Sequence, residues 1–240
     1  MTLSRKLVVE LIGTFFLMLT VGLAVATAGR LAPLAIGGAL MVMVFAGAHI
    51  SGAHYNPAVS TAALVRGRLP GREYAPYVAA QAVAAVLAAL VVRGLGYAPD
   101  HAVAVAGTGP MLVAEFLFTF ALAYVVLNVA MAKDTEGKSF YGLAIGFTLA
   151  TGAFAAGSVC GGAFNPAVAL GASVLGMFPW SNLWIYLLAE MAGGVAAAVA
   201  FVLVQPAEAP EQPARVAHQD GEAVRPSGDR AQRRVSPTTT

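Results

Sequence analysis

Charge is what this sequence most lacks. Of 240 residues only 11% are Asp, Glu, Lys or Arg, while 58% are hydrophobic and the mean hydropathy is +0.74. A soluble domain carries roughly 25% charged residues, and a globule of this length still needs a polar surface. A large core therefore does not account for the deficit, and lipid has to cover much of the chain. The charges nearly cancel, to a net +2, and no basic stripe with interleaved aromatics is present, which argues against a nucleic-acid partner. With one cysteine, Cys160, there is no internal disulfide. No His/Cys cluster has metal-ligand spacing. Nucleophile–base pairs and phosphate-binding loops are missing too, so no metal, cofactor or enzymatic activity is expected.

What the sequence has in abundance is apolar runs. Six are long enough to cross hydrocarbon about 30 Å thick as helices: roughly 7–27, 31–50, 74–92, 111–132, 140–160 and 183–204. Glu10 inside the first run, and a similar run after 111, argue for a retained span rather than a cleaved signal. Spans two and five are rich in Gly and Ala, and Gly142 with Gly146 forms a small-xxx-small pair that lets helix backbones approach closely in lipid. Arg5, Lys6, Arg66, Arg68, Arg72, Lys133 and Lys138 fall on one side of a six-span arrangement, against Arg30 and Arg93 on the other. This bias places both termini in the cytoplasm. After Val204 the composition turns to Pro, Glu, Gln, Arg and Ser, so residues 205–240 are expected to be a disordered cytoplasmic tail behind a membrane domain of residues 1–204.

The two halves of that domain, about 5–95 and 110–204, repeat one another. His54-Tyr55-Asn56-Pro57-Ala58-Val59 returns as Ala163-Phe164-Asn165-Pro166-Ala167-Val168, 109 positions later. Tyr77 and Tyr186 keep the same offset, as do Gln81 and Glu190, and Glu10, Thr14 and Phe15 are echoed by Glu115, Thr119 and Phe120. Each half has three spans. An odd number forces the second half to enter from the opposite face, making the repeat inverted, a recurrent plan for passing solutes across membranes.

Each Asn-Pro reads as the start of a helix. Proline suits the first turn, where its missing N–H has no partner, and asparagine just before it is a favoured cap. A short stretch of small or apolar residues follows, Ala58 to Leu64 and Ala167 to Leu175; a helix of about ten residues spans about 15 Å, half the hydrocarbon thickness. Irregular backbone at that depth is tolerated only inside protein or along a wet cavity. Two half-helices entering from opposite faces meet N-terminus to N-terminus, with positive dipole ends toward a shared channel. Asn56 and Asn165 then offer amide N–H groups to a passing solute. Such a site favours a neutral molecule with acceptor oxygens and repels protons and cations.

Glu10, Glu115 and Glu190 lie inside apolar spans, where a carboxylate is costly and has a structural or functional reason to be there. Glu10 and Glu115 are expected to accept hydrogen bonds from loop N–H groups or from His54 and so fix the loop backbones. Glu190, matched to Gln81, is expected to make a helix-packing hydrogen bond.

His49-Ile50-Ser51-Gly52-Ala53-His54-Tyr55-Asn56-Pro57-Ala58-Val59 resembles the first signature of the aquaporin, or major intrinsic protein, family, and Gly161-Gly162-Ala163-Phe164-Asn165-Pro166-Ala167 resembles the second. The likeness runs over about residues 5–204. It implies an all-α membrane protein: a right-handed bundle of six transmembrane helices with two re-entrant half-helices, a pore in each subunit, a homotetramer in the cell membrane, and loops braced by Glu10 and Glu115. Carried over by distance from the motifs, the family's filter positions fall on Ile36, Ala153, Gly162 and Val168. Most members carry arginine where this chain has Val168, and glycerol-type members carry aspartate where it has Ala169. The resemblance therefore implies an apolar, rather wide constriction and passive diffusion of water or another small neutral solute such as glycerol, urea, ammonia or hydrogen peroxide. Two other readings stay open: a proton-coupled secondary transporter using Glu10, Glu115 or Glu190, and a non-conducting structural membrane protein.

Overall fold

The computed structural model describes residues 1–206. Among them all regular structure is helical. Helices α1 (Leu3–Thr27), α2 (Ala32–Ser51), α4 (Gly71–Gly94), α5 (Thr108–Val126), α6 (Tyr141–Cys160) and α8 (Leu183–Val204) are the long ones, and α3 (Pro57–Val65) and α7 (Pro166–Leu175) are the short ones. Single turns of tighter helix lead into α2 and α8, and α5 ends in a π-helical turn, Leu127–Met131. Six helical stretches are long and apolar enough to cross a membrane. They coincide with the six runs read from the sequence to within a few residues. The largest differences are at the starts of α1 and α5, and of α4, where Arg72 and Glu73 make a charged first turn that reads as loop. Glu73 is tied there to Lys6 of α1 by an ion pair at 2.8 Å. The expected tail lies outside the described residues from position 207 on.

The bundle is apolar on the outside as well as in its core, unlike a water-soluble one, and several of its polar side chains are buried. Phe16, Leu90, Phe147, Phe154 and Leu188 are exposed on the long helices, whereas Glu10, Thr14, Gln81, Glu115, Thr119 and Glu190 are wholly buried. Only a lipid surround makes that arrangement favourable.

Packing follows the repeat. If α1 to α4 are mapped onto α5 to α8, the pairs α1·α4 and α1·α2 become α5·α8 and α5·α6. Each short helix packs on the opposite half, α3 against α8 and α7 against α4, while α2 and α6 meet each other across the pseudo-axis. That last crossing is close because Gly37 and Gly146 face each other: a Cβ on either would run into the other's carbonyl oxygen. Gly142, expected to act with Gly146, instead sits under the ring of Phe45.

Candidate functional site

The site is built where α3 and α7 begin. Each starts on its proline, the residue expected in the first turn, with the preceding asparagine in extended conformation as the cap. Asn56 Oδ1 accepts the Ala58 N–H at 2.8 Å, and Asn165 Oδ1 accepts those of Ala167 at 3.0 Å and Val168 at 3.4 Å. The other end of each amide crosses between the halves. Asn56 Nδ2 donates to the Phe164 carbonyl and Asn165 Nδ2 to the Tyr55 carbonyl, both at 2.8 Å. The two half-helices are thus stitched N-terminus to N-terminus. Since a side-chain amide has two N–H donors, one on each asparagine remains for the cavity that both line.

The backbone before each asparagine turns through the left-handed region three times, at Gly52, Ala53 and Tyr55 and again at Gly161, Gly162 and Phe164. Left-handed alanine, tyrosine and phenylalanine cost about 1–2 kcal/mol each, and such conformations persist only where surrounding bonds over-determine them. Those bonds come from the buried glutamates. Glu10 Oε1 accepts Ser51 Oγ–H at 2.7 Å and the His54 N–H at 3.0 Å, and its Oε2 accepts the Tyr55 N–H at 2.7 Å and Gln81 Nε2 at 2.8 Å. Glu115 accepts the N–H groups of Ala163 at 3.1 Å and Phe164 at 2.8 Å. His54 meets Glu10 through its backbone, whereas its ring Nδ1 pairs with Ser60 Oγ at 3.0 Å. Tyr77 and Tyr186 repeat one bond, each donating its hydroxyl to the last residue of the helix before the loop, Ser51 O at 2.8 Å and Cys160 O at 2.7 Å.

Glu190 departs from its expected role. Glu115 and the backbone of Asn165 are its polar neighbours, yet neither of its oxygens meets a donor in hydrogen-bond geometry. Gln81 brings Glu10 an N–H at the equivalent place; an acid there brings a second set of acceptors.

A cavity of about 200 Å³ runs past both motif loops. Ile36, Ala153, Gly162 and Val168 all line it, and so do His54, Asn56 and Asn165, which are its only polar side chains among the described residues. Pro57, Ala58, Pro166 and Ala167 stand behind the wall as the first turns of α3 and α7. Leu122 and Val126 of α5 and Ile145 and Leu149 of α6 line the part beyond. Glu10, Glu115 and Glu190 do not reach the cavity. Sequence reasoning missed Val103, Met177 and Phe178. Val103 belongs to the α4–α5 connection, whose backbone is pinned beside the cavity by Val103 N–H to Met177 O at 2.9 Å and Ala106 N–H to Val159 O at 2.8 Å. Phe178 is held by stacking on Tyr186, with centroids 4.6 Å apart. Apolar residues in connecting loops carry no periodicity that would mark them.

Two inverted halves, six spans and two half-helices meeting at a cavity that both halves line are the plan of a membrane channel. The chain belongs to the Major intrinsic protein family, whose sequence profile matches residues 1–201. It is 37% identical over 214 residues to Aquaporin NIP1-3 of Oryza sativa subsp. japonica, covering 84% of this chain and 74% of that one. It is 35% identical over 206 residues to Glycerol uptake facilitator protein-like 6 of Lactiplantibacillus plantarum, covering 81% and 95%. In fold it is similar to the aquaglyceroporin from Plasmodium falciparum, with a TM-score of 0.72 at 23% identity over 86% of this chain and 99% of that structure.

Proposed function

We propose that the chain conducts water and small uncharged solutes passively and keeps ions and protons out, with Asn56 and Asn165 orienting the solute and Ile36, Ala153, Gly162 and Val168 setting the width. The observation that carries this reading is the composition of the cavity wall: three neutral-capable polar side chains, His54, Asn56 and Asn165, on an otherwise apolar lining. A hydrated ion entering there has nothing to replace its water, whereas a neutral molecule with acceptor oxygens loses few hydrogen bonds and regains them at the two amides. The dipoles of α3 and α7 point their positive ends at the same place, which adds a barrier to cations. The volume exceeds that of one water several-fold, so a file of waters or a small polyol fits. With Val168 in the filter, the outer half has no charged donor to demand one particular solute. Glycerol belongs in the test panel because a relative carries it in its name.

Proton-coupled transport would need a titrating acid in the pathway, and the three intramembrane glutamates stand behind the wall instead, two of them bonded to loop backbone. We further read the protein as a homotetramer in the cell membrane, as the family resemblance implies, with both ends cytoplasmic, on the lysine and arginine bias of the loops, and as a channel without enzymatic activity.

Stopped-flow light scattering on proteoliposomes tests the reading, with sucrose, glycerol and urea gradients compared. The expected result is a flux above that of empty vesicles for water and at least one solute, with low activation energy and no response to collapse of a proton gradient. Flux that needs the proton gradient would establish coupled transport, and absence of any osmotic permeability would establish a closed pore.

A further inference from the structure

In the first half, Glu10 is surrounded by donors; in the second, two of the equivalent positions have changed. Ser51, which donates to Glu10, is matched by Cys160, and Gln81, which also donates to it, is matched by Glu190. Cys160 turns its thiol to the Ala156 carbonyl at 3.3 Å, and Tyr186 spends its hydroxyl on the Cys160 carbonyl. Cys160 and Tyr186 are the other titratable side chains that face the two carboxyls, and no lysine, arginine or histidine is among the neighbours that act on them. Glu115 and Glu190 are both wholly buried.

We propose that Glu190 is a positioning residue of the second motif loop and acts as an acid: Glu115 and Glu190 hold one proton between them, and Glu190 thereby donates to Glu115 the hydrogen bond that Gln81 donates to Glu10. Two ionised carboxylates side by side in a dry interior, without a cation, carry a desolvation cost and a repulsion that the two amides on Glu115 alone do not offset. A single shared proton removes the repulsion and creates a strong O–H···O⁻ bond. It also gives one of the two orphaned oxygens of Glu190 a partner, as buried polar groups require. Glu115 is then held with its oxygens on the Ala163 and Phe164 amides. Through the Phe164 carbonyl, which accepts the Asn56 amide, the pair sets the position of both motif loops. Glu190 acts through Glu115 and does not itself touch the cavity.

Infrared spectroscopy of the full chain in proteoliposomes reads the proton directly, and the solute flux of the same vesicles reads its consequence; only the flux arm rests on the reading of the loops as a pore wall. Wild type should show the carbonyl stretch of a buried protonated carboxylic acid at neutral pH, and Glu190→Gln, which restores the first half's arrangement, should abolish it. Flux through Glu190→Gln should stay within about twofold of wild type, while Glu190→Leu, which has no donor, should fall about tenfold or more, the equivalent of one lost hydrogen bond to a charged group. A wild type without the band, or a band that persists in Glu190→Gln, would overturn the assignment, as would a measurable flux that is equal through all three proteins. Should Glu190→Leu not assemble, the infrared comparison of wild type with Glu190→Gln decides alone. Should the band behave as expected while wild type conducts nothing, the proposed function fails and the shared proton stands.

Discussion

The two motif loops share one backbone and differ in chemistry. Four donors converge on Glu10, two backbone amides and the side chains of Ser51 and Gln81. Glu115 receives two backbone amides and stands beside a second acid. The left-handed residues fall at matched places, but the middle one is Ala53 in the first loop and Gly162 in the second. The first loop is more strained and more heavily bonded; the second is less strained and holds fewer bonds. What the repeat conserves is the place of the backbone amides and of the capping asparagines, because these make the crossing bonds Asn56 to Phe164 and Asn165 to Tyr55. The side chains that brace each loop are free to differ so long as a carboxyl accepts its two amides.

That comparison breaks most visibly at the glutamates. Glu10→Leu leaves four buried donors without an acceptor, at about 1–3 kcal/mol each. The expected loss of stability is therefore at least about 4 kcal/mol, and Glu115→Leu, which orphans two backbone amides and the proton of Glu190, should lose about three quarters as much. Thermal unfolding in detergent measures both; an equal or larger loss in Glu115→Leu would show that the second loop depends on its anchor as heavily as the first.

The next effect is on selectivity. Val168 begins no charge network and leaves the cavity wall apolar just past the second asparagine. Val168→Arg places a cation and a long side chain there, and is expected to reduce glycerol and urea flux about tenfold while water flux falls by less than about half, since filter width acts most on the largest solute. Equal loss for all solutes, or no change, would remove Val168 from the filter.

The parts of this arrangement that sequence reading reached are those with a local physical signal. Asn-Pro before a small apolar run marks a capped helix start, and α3 and α7 begin there. Six apolar runs give six spans, and the buried glutamates stand out because a charge in lipid is costly. The parts it did not reach are between distant residues or lack polarity. No pattern reveals that Asn56 bonds the carbonyl of Phe164, 108 positions on. Val103 and Phe178 line the cavity from loops whose course is set by backbone bonds and by the ring of Tyr186. Glu190 looked like a packing residue because its repeat partner Gln81 is both donor and acceptor, and an acid has only the second capacity until it takes a proton.

The smallest effect sharpens the contrast in strain. Ala53→Gly removes the cost of a left-handed alanine, about 1–2 kcal/mol. The greater freedom of glycine in the unfolded chain takes back about 0.4–1 kcal/mol. A net gain of about 0.5 kcal/mol is expected in the same unfolding assay, with solute flux unchanged. A loss of stability would mean that the Ala53 methyl packs more favourably than its backbone is strained.

In our reading two loops, differently braced, form one pathway that admits neutral molecules and refuses charge. Proton leak and osmotic water flux measured on the same proteoliposomes, with a pH-sensitive dye inside and light scattering outside, test it most directly. Water flux well above that of empty vesicles is expected, with proton leak at their level; a proton leak that rises together with the water flux, or no water flux at all, would contradict this reading.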